Sequence, residues 1–246
     1  MNIAVILAGG SGKRFGSPTP KQFLLLDGKA VVEHSIDTFC QHPGIDEVAV
    51  VVHPDYRDMM QDIVDRRQWS KMKRIIDGGS ERYMSSLNAI MAYIDYPDDT
   101  NLLLHDAARP LVTAGIIDRV VSELRHCEAV GVGVPSTDTV WEVHPDMSGE
   151  WYMSSVETGI PRFVARIPER RLMWCAQTPQ AFRLPLLRDA YQRALQDPQF
   201  AATDDCGVVR RYMPGTKIHV VEGDADNIKI TNPGDIHRAE TLIHGN

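Results

Sequence analysis

The chain has 246 residues, of which 43% are hydrophobic and 24% are charged, as is usual for a globular protein. Its net charge is −7 and it has no long run of lysine and arginine, which argues against nucleic acid or an anionic membrane as a partner. No segment approaches the roughly 18 consecutive apolar residues of a membrane span, and the first residues lack a signal peptide's basic region, so we expect a cytoplasmic protein. The four cysteines are scattered, which predicts free thiols rather than disulfides or a zinc site.

Short apolar runs alternate with longer amphipathic segments through the first half of the chain. The apolar runs predict buried strands of a parallel sheet at residues 3–7, 48–52, 102–105 and 130–134. The amphipathic segments predict helices at residues 31–39, 56–67, 85–94 and 116–124. Repeated strand–helix–strand units predict an α/β fold, a three-layer sandwich with helices on both faces of a mostly parallel sheet.

The pattern changes between residues 137 and 168, where aromatic residues alternate with polar ones and prolines and glycines mark turns. This alternation predicts a protruding β-arm. A thin ribbon cannot bury its own aromatic side chains, so we expect the arm to pack on a second subunit and form a homodimer. The remaining sequence predicts helices at 186–195, 204–212 and 233–243, a strand at 218–222 and an extended segment at 228–231. We expect one domain over residues 1–246, without a second catalytic domain.

A glycine-rich segment follows the first predicted strand. From Leu7 to Lys21 its sequence is L-A-G-G-S-G-K-R-F-G-S-P-T-P-K. Glycines let backbone N–H groups face a ligand, and Arg14 and Lys21 add positive charge, so the segment predicts a polyphosphate site. The spacing fits neither the P-loop nor the dinucleotide-binding fingerprint, which argues against a kinase and a dehydrogenase. The alternative is an ordinary glycine turn.

Three further polar clusters follow predicted strands. They are D-G-G-S-E-R at residues 77–82, H-D-A-A-R-P at 105–110 and P-S-T-D-T at 135–139. Ligands of open α/β sheets bind at the carboxyl ends of the strands. We therefore expect these three clusters and the glycine loop to face one crevice.

Each cluster also has a purely structural interpretation. Ser80 is a candidate helix N-cap. Asp106 and Arg109 are a candidate local ion pair. Thr139 is suited to closing a turn. A carboxylate directly after a buried strand is unfavourable unless it binds a cation or a hydroxyl group, which favours a functional role for Asp106.

Two later segments carry weaker signals. Lys229 lies in D-N-I-K-I-T at residues 226–231, where a lysine is either a solvated edge residue or a phosphate ligand. The sequence T-P-Q at residues 178–180 predicts a turn by its spacing alone.

In their order along nearly the whole chain, these motifs resemble those of the 2-C-methyl-D-erythritol 4-phosphate cytidylyltransferases, sugar nucleotidyltransferases of Rossmann-like fold. The motifs are L-A-G-G-S-G-K-R-F with P-K-Q-F, D-G-G-S-E-R, H-D-A-A-R-P, T-D-T, T-P-Q-A-F, T-D-D and D-N-I-K-I-T. The resemblance implies a homodimeric enzyme that joins CTP to a sugar-alcohol phosphate, using Mg²⁺, and releases pyrophosphate.

The resemblance also implies roles for individual residues. The catalytic residues would be Arg14, Lys21 and Lys229, with the first two stabilising the α-phosphate and the leaving pyrophosphate. The residues that bind CTP would be Ala8, Gly9, Gly10, Gly79, Ser80 and Ser85. Those that bind the acceptor would be Asp106, Arg109, Thr139, Arg170 and Lys229. Asp106 is in addition a candidate Mg²⁺ ligand.

Arg170 matches the family arginine that the arm delivers into the neighbouring subunit's site, with Arg166 and Arg171 as alternatives. Two departures from the family pattern bear on the acceptor and the arm. Ser80 stands where an acidic residue is frequent, and residues 144–166 are longer and more aromatic than usual.

Two alternative functions remain open from the sequence. A sister group that transfers the cytidylyl group to D-ribitol 5-phosphate shares the glycine loop, P-K-Q-F, T-P-Q and N-I-K, whereas D-A-A-R-P and T-D-D favour methylerythritol phosphate. The second alternative is a non-catalytic nucleotide-binding protein, since fold does not fix function. Retention of the whole set of candidate charges argues against it.

Overall fold

The computed structural model describes residues 1–10, 19–145 and 162–245. The strands are β1 (Asn2–Ala8), β2 (Leu25–Leu26), β3 (Lys29–Ala30), β4 (Glu47–Val52), β5 (Met72–Asp77), β6 (Asn101–Asp106), β7 (Ala129–Pro135), β8 (Glu142–Pro145), β9 (Arg162–Arg166), β10 (Trp174–Arg183) and β11 (His219–Glu222). The α-helices are α1 (Val31–Gln41), α2 (Arg57–Arg67), α3 (Arg82–Ala92), α4 (Ala114–Glu123), α5 (Leu184–Ala194), α6 (Asp205–Tyr212) and α7 (Gly234–His244). None of these helices is long and apolar enough to cross a membrane.

The central sheet has seven strands in the order β11-β7-β10-β6-β1-β4-β5. β10 runs antiparallel to both of its neighbours, and the other six strands run parallel to one another. The carboxyl ends of β1, β4, β5 and β6 therefore meet at one edge, where ligands of such sheets bind. The predicted mostly parallel, three-layer α/β fold is confirmed.

Both faces of the sheet are buried, which explains why the strands are continuous apolar runs. Successive residues of β1 point to opposite faces. Ala4 and Ile6 pack in a cluster with buried residues of α1, α2 and α4, whereas Ile3 and Val5 pack in a second cluster with residues of α3, α5 and α6. The helices thus form one layer on each side of the sheet.

The turn predicted at residues 178–180 is wrong, because these residues lie inside β10. The pairing of β10 with β7 shifts register between Gln177 and Ala181. Pro179 lies in this irregular stretch, where its missing N–H group does not interrupt a regular ladder. The Thr178–Pro179 peptide bond is cis.

The interpretation of Ser80 as a helix N-cap is also wrong. Helix α3 begins at Arg82, and the N-cap position belongs to Glu81, whose side chain makes no capping hydrogen bond. The Ser80 hydroxyl lies 3.2 Å from the Met84 sulfur instead. Ser80 therefore belongs to the loop that precedes the helix.

The arm is described only at its base. Strands β8 and β9 pair as an antiparallel ribbon within the predicted arm at 137–168, and residues 146–161 of that arm lie outside the described residues. We define the arm patch as five exposed apolar side chains on this ribbon and on the chain just before and after it: Trp141, Phe163, Ile167, Leu172 and Trp174.

Candidate active site

An open cleft of about 510 Å³ lies at the carboxyl ends of the central strands. Its walls come from the ends of β1 and β6, the loops that follow them, the loop between β5 and α3, and the segment around Lys229. The predicted site residues that line it are Ala8, Gly9, Gly10, Lys21, Gly79, Ser80, Ser85, Asp106 and Lys229. The glycine loop, the D-G-G-S-E-R cluster and the H-D-A-A-R-P cluster thus share one crevice, as expected, whereas no residue of the fourth cluster, P-S-T-D-T at residues 135–139, lines it.

The loop after β1, the loop between β5 and α3, and the first turn of α3 pack closely together on one side of the cleft. A side chain at Gly9 would place its Cβ atom 2.8 Å from the Ser85 hydroxyl, and one at Gly79 would place it 2.1 Å from the Met84 Cβ atom. The distance at Gly79 leaves no room for a side chain, and a side chain at Gly9 would displace the Ser85 hydroxyl. The Gly79 N–H group donates a hydrogen bond to the Ser85 hydroxyl at 3.2 Å, which orders the wall.

Gln22 and Lys21 tie the first loop to the rest of the site. The Gln22 side chain is buried, and its amide nitrogen donates to the carbonyl oxygens of Ala8 at 2.7 Å and Gly10 at 2.9 Å. The Lys21 ammonium donates to the Ile230 carbonyl at 2.7 Å, which joins the glycine loop to the segment that carries Lys229. Arg14, the other predicted cation of this loop, lies outside the described residues.

Asp106 lies between two cations at the end of β6. One carboxylate oxygen is 2.6 Å from the Lys229 ammonium and the other is 3.2 Å from the Arg82 guanidinium. Burial alone would raise the pKa of the Asp106 carboxyl, but the neighbouring charges of Arg82 and Lys229 outweigh burial and hold this pKa well below its usual range. Asp106 is therefore a carboxylate at neutral pH, and the interpretation of an Asp106–Arg109 ion pair does not describe its contacts.

His105 and Thr178 hold the backbone of Asp106 in place. The Asp106 N–H group donates to the Thr178 hydroxyl at 3.1 Å, and that hydroxyl lies 3.1 Å from Nδ1 of His105. Nε2 of His105 lies 3.1 Å from the Arg109 carbonyl, which can only accept, so Nε2 carries the proton and Thr178 donates to Nδ1. Burial lowers the pKa of His105 to about 4, which keeps the ring neutral.

Arg109 does not line the cleft. Its guanidinium donates to the carbonyl oxygens of Asn227 at 2.7 Å and Ala176 at 3.1 Å. Burial lowers the pKa of Arg109. These contacts fasten the segment leading to Lys229 against β10.

The two remaining predicted acceptor ligands lie away from the cleft. Thr139 and Arg170 are exposed, and neither is among the residues that line it. The Arg170 guanidinium donates to the Thr137 carbonyl at 3.3 Å, so both residues lie at the base of the arm. The alternative arginines, Arg166 and Arg171, are exposed as well.

Among the described residues, no group of three or more histidine, cysteine or carboxylate ligands lines the cleft. Both oxygens of Asp106 contact cations. The one described group of three potential metal ligands, Glu123, Cys127 and His219, does not line the cleft. Mg²⁺ commonly binds through substrate phosphates with few protein ligands, so a metal-bound triphosphate fits this cleft better than a protein-held ion.

Sequence reasoning assigned no role to several residues that line the cleft. Gln22 was visible only as part of P-K-Q-F, and Arg82 only as the last residue of D-G-G-S-E-R. Their contacts are with Ala8, Gly10 and Asp106, and the last of these is 24 residues away from Arg82. The sequence signal for both was a polar residue inside a motif with no evident partner among its neighbours in the sequence.

Comparison with known proteins agrees with this geometry. The family model described as IspD, 2-C-methyl-D-erythritol 4-phosphate cytidylyltransferase, matches residues 2–245. A 2-C-methyl-D-erythritol 4-phosphate cytidylyltransferase from Thermobifida fusca is 45% identical, over 98% of this chain and 92% of the relative. A solved 4-diphosphocytidyl-2C-methyl-D-erythritol synthase from Anaerococcus prevotii is similar with a TM-score of 0.81 and 27% identity, over 99% of this chain and 96% of that one.

A relative with a different printed activity matches as well. The bifunctional ribulose 5-phosphate reductase/CDP-ribitol pyrophosphorylase Bcs1 from Haemophilus influenzae is 38% identical, over 98% of this chain but only 48% of the relative. The ribitol alternative therefore has a weaker match than the Thermobifida fusca methylerythritol enzyme, at 38% against 45% identity.

Proposed function

The chain belongs to the 2-C-methyl-D-erythritol 4-phosphate cytidylyltransferase family and is a nucleotidyltransferase, and we propose that its cleft transfers CMP from CTP to 2-C-methyl-D-erythritol 4-phosphate with release of pyrophosphate. The observation that carries the proposal is the convergence of Lys21, Asp106 and Lys229 on one cleft beside a wall of glycine backbone. This arrangement offers cations for phosphates, a carboxylate for hydroxyl groups and backbone groups for a base.

The reaction is an in-line displacement at the α-phosphorus of CTP. A phosphate oxygen of the acceptor forms the new O–P bond while the bond to the β-phosphate oxygen breaks, and the electron pair of that bond leaves with pyrophosphate. No covalent intermediate with the enzyme is needed, so catalysis consists of positioning and charge neutralisation.

The glycine wall is the proposed cytosine pocket. Ala8, Gly9, Gly10, Gly79, Ser80 and Ser85 line the same cleft. The close approach of the two loops leaves backbone N–H and carbonyl groups, rather than flexible side chains, to meet the base. Rigid backbone groups of this kind distinguish a pyrimidine from the bulkier purines.

Cations carry the proposed catalysis. We assign Lys21 and Arg14 to the α-phosphate and the leaving pyrophosphate, and Lys229 to the phosphates that react. Transition-state charge is best stabilised by groups that are already in place. Lys21 meets this requirement because its ammonium is fixed on the Ile230 carbonyl.

The proposed acceptor site is shared between two subunits. Asp106 accepts hydroxyl groups of the acceptor in the chain's own cleft, next to the segment that Arg109 fastens. Thr139 and Arg170 lie at the exposed base of the arm. In a homodimer formed through the arm patch, these two residues would complete the acceptor-phosphate site of the neighbouring subunit.

We propose that Mg²⁺ enters the site bound to the triphosphate of CTP. In this arrangement the ion would neutralise the triphosphate's charge. Asp106 keeps a second lone pair on each oxygen for hydroxyl groups of the acceptor, because Arg82 and Lys229 each contact only one of its oxygens.

The test is pyrophosphate release by the purified full-length chain with CTP and Mg²⁺. Parallel reactions contain methylerythritol 4-phosphate, ribitol 5-phosphate or no acceptor, and a further set replaces CTP with UTP or ATP. We expect release with CTP and methylerythritol 4-phosphate. Release with ribitol 5-phosphate alone would indicate the sister activity instead. No release with either acceptor, in a protein that binds CTP, would favour a non-catalytic role.

A further inference from the structure

We propose that Arg82 is a positioning residue that keeps Asp106 fixed and ionised when Lys229 leaves it for a phosphate, and that Asp205 holds Arg82 in this orientation. This inference rests on the proposed function, because it concerns how the same cleft binds its acceptor. It gives a role to the T-P-Q and T-D-D motifs, which the assignments above leave without one.

The two cations on Asp106 differ in their freedom to move. The Lys229 side chain is 41% exposed at the cleft, whereas that of Arg82 is 25% exposed and lies between two carboxylates. Lys229 is proposed to act on a phosphate, and as its ammonium turns towards that phosphate its 2.6 Å contact with Asp106 lengthens and its charge is shared between the two anions. Arg82 is then the remaining cation on the Asp106 carboxylate.

Asp205 fixes the far side of the Arg82 guanidinium. The Arg82 Nη1 atom is 2.8 Å from an Asp205 carboxylate oxygen, while Nε is 3.2 Å from Asp106. The Arg82 guanidinium thus faces two carboxylates at once, because Nε donates a hydrogen bond to Asp106 while Nη1 forms an ion pair with Asp205. The charges of Asp205 and Asp106 raise the pKa of Arg82 in spite of its burial.

Asp205 is itself immobilised by buried partners. Its side chain is fully buried, and its second carboxylate oxygen accepts a hydrogen bond from the Tyr191 hydroxyl at 2.6 Å. The Gln180 side-chain carbonyl accepts from the N–H groups of Asp205 and Cys206, both at 3.0 Å. The Gln180 amide nitrogen donates to Asp204 at 2.7 Å.

These contacts connect three distant motifs to the acceptor carboxylate. Gln180 of T-P-Q orders the start of α6, Asp205 of T-D-D is held there, and Arg82 of D-G-G-S-E-R bridges to Asp106. The four charges of Asp106, Asp205, Arg82 and Lys229 sum to zero. Withdrawal of Lys229 leaves a net negative charge that Arg82 alone opposes, so the dependence on Arg82 is largest in the substrate complex.

The experiment measures pH profiles of the variant Arg82→Gln and of the wild-type protein with CTP and the acceptor. The readout is the ratio of variant to wild-type rates, because titration of the substrate phosphates affects both proteins and cancels. Without Arg82, burial raises the pKa of Asp106, so the fraction of ionised Asp106 falls as the pH falls. We expect the kcat ratio to fall about tenfold between about pH 8 and pH 5.5.

The pH dependence of the variant should differ between kcat and kcat/KM. The kcat/KM ratio reports the free enzyme, in which Lys229 still contacts Asp106, and kcat reports the complex, in which it does not. The acid-side loss must therefore be larger in kcat than in kcat/KM. In an Asp106→Asn background, the double change Arg82→Gln/Asp205→Asn should produce no further pH dependence, because both carboxylates that contact Arg82 are then absent.

Removal of Arg82 leaves Asp205 as an unpaired buried charge, which can prevent folding. The double variant Arg82→Gln/Asp205→Asn removes one charge of each sign and serves as the folded substitute. Arg82→Lys retains one positive charge and should restore part of the acid-side activity. The matched control is Arg74→Gln, which breaks a similar arginine–carboxylate–tyrosine set, with Arg74 3.3 Å from Glu47 and the Tyr93 hydroxyl 2.7 Å from Glu47, outside the cleft.

The outcomes separate this inference from the proposed function. If the wild-type protein releases no pyrophosphate with either acceptor, the proposed function fails. If the wild-type protein is active and the variant ratios stay flat with pH, as expected for Arg74→Gln, Arg82 is only structural and the inference is overturned. If the kcat ratio falls more steeply than the kcat/KM ratio as the pH falls, both in Arg82→Gln and in Arg82→Gln/Asp205→Asn, the inference is supported.

Discussion

The cleft and the base of the arm differ in how much of their chemistry one chain completes. In the cleft, both Asp106 oxygens contact cations, and the His105 ring has a partner for each nitrogen. At the base of the arm, the arm patch is exposed, and the Arg170 guanidinium donates one hydrogen bond within the described residues, at 3.3 Å, to a backbone carbonyl. The contacts of the cleft are thus made within one chain. The exposed groups at the base of the arm form no binding site among the described residues.

This difference indicates where each kind of substitution should have its effect. Changes to charges in the cleft should alter catalysis in each subunit by itself. Changes at the arm should alter assembly, or the activity of a neighbouring subunit, because large exposed apolar groups commonly mark an interaction surface. The predictions below test this division, from the largest expected effect to the smallest.

Lys21→Ala should lower kcat by about 100- to 1000-fold with the fold intact, because it removes a fixed cation from the transition state. The measurement is steady-state pyrophosphate release together with a thermal unfolding curve. Lys29→Ala is the matched control, since Lys29 forms an ion pair with Asp37 at 2.8 Å and does not line the cleft. A Lys21→Ala protein with near wild-type kcat would refute the assignment of the glycine loop.

Arg170→Ala should lower kcat/KM for the acceptor by about 10- to 100-fold, because it removes a cation from the acceptor phosphate, while KM for CTP changes little. Arg171→Ala is the control, since the Arg171 guanidinium contacts only Glu169 among the described ion pairs. If Arg171→Ala shows the loss and Arg170→Ala does not, the neighbouring arginine has the assigned role.

Ile167→Asp should dissociate the proposed dimer, because it places a charge in the apolar arm patch. The measurement is sedimentation or light scattering over a range of protein concentrations. Leu195→Asp also adds a charge at an exposed apolar residue but lies outside the arm, so it should leave assembly unchanged. A wild-type monomer with full activity would contradict the shared-site proposal.

Thr178→Val should lower the free energy of unfolding by about 1–3 kcal/mol, because it leaves the Asp106 N–H group and His105 Nδ1 without their buried partner. Chemical denaturation measures this change. Thr241→Val, at an exposed position of α7, should change stability by less than about 0.5 kcal/mol. Equal stabilities of the two variants would show that the buried hydrogen bonds do not support the cleft.

The local parts of the fold were predictable from sequence. Apolar runs and three-to-four spacing placed β1, β4, β6 and β7 and the helices to within a few residues, because periodicity reflects which faces are buried. The glycines of the cleft were predictable for a different reason: close backbone approach excludes side chains.

Contacts between distant segments were not predictable in the same way. Pro179 suggested a turn, yet an irregular register allowed it within β10, the antiparallel strand between β6 and β7. Arg109 is three residues from Asp106 in sequence, but the cations on Asp106 are Arg82 and Lys229. Such pairings depend on strand order, which local patterns do not encode.

The most direct test of the shared site mixes subunits of Lys21→Ala and Arg170→Ala under conditions that exchange dimers. In a heterodimer, one cleft keeps its own Lys21 and receives Arg170 from the other subunit. Equal random mixing should therefore restore about one quarter of wild-type activity.

The control mixes wild-type protein with the double variant Lys21→Ala/Arg170→Ala. Their heterodimers contain no intact shared site, so exchange should lower activity from about half to about one quarter of the wild-type value. If the first mixture stays inactive and the second stays at half, each chain completes its own site, and the account of a shared acceptor site is contradicted.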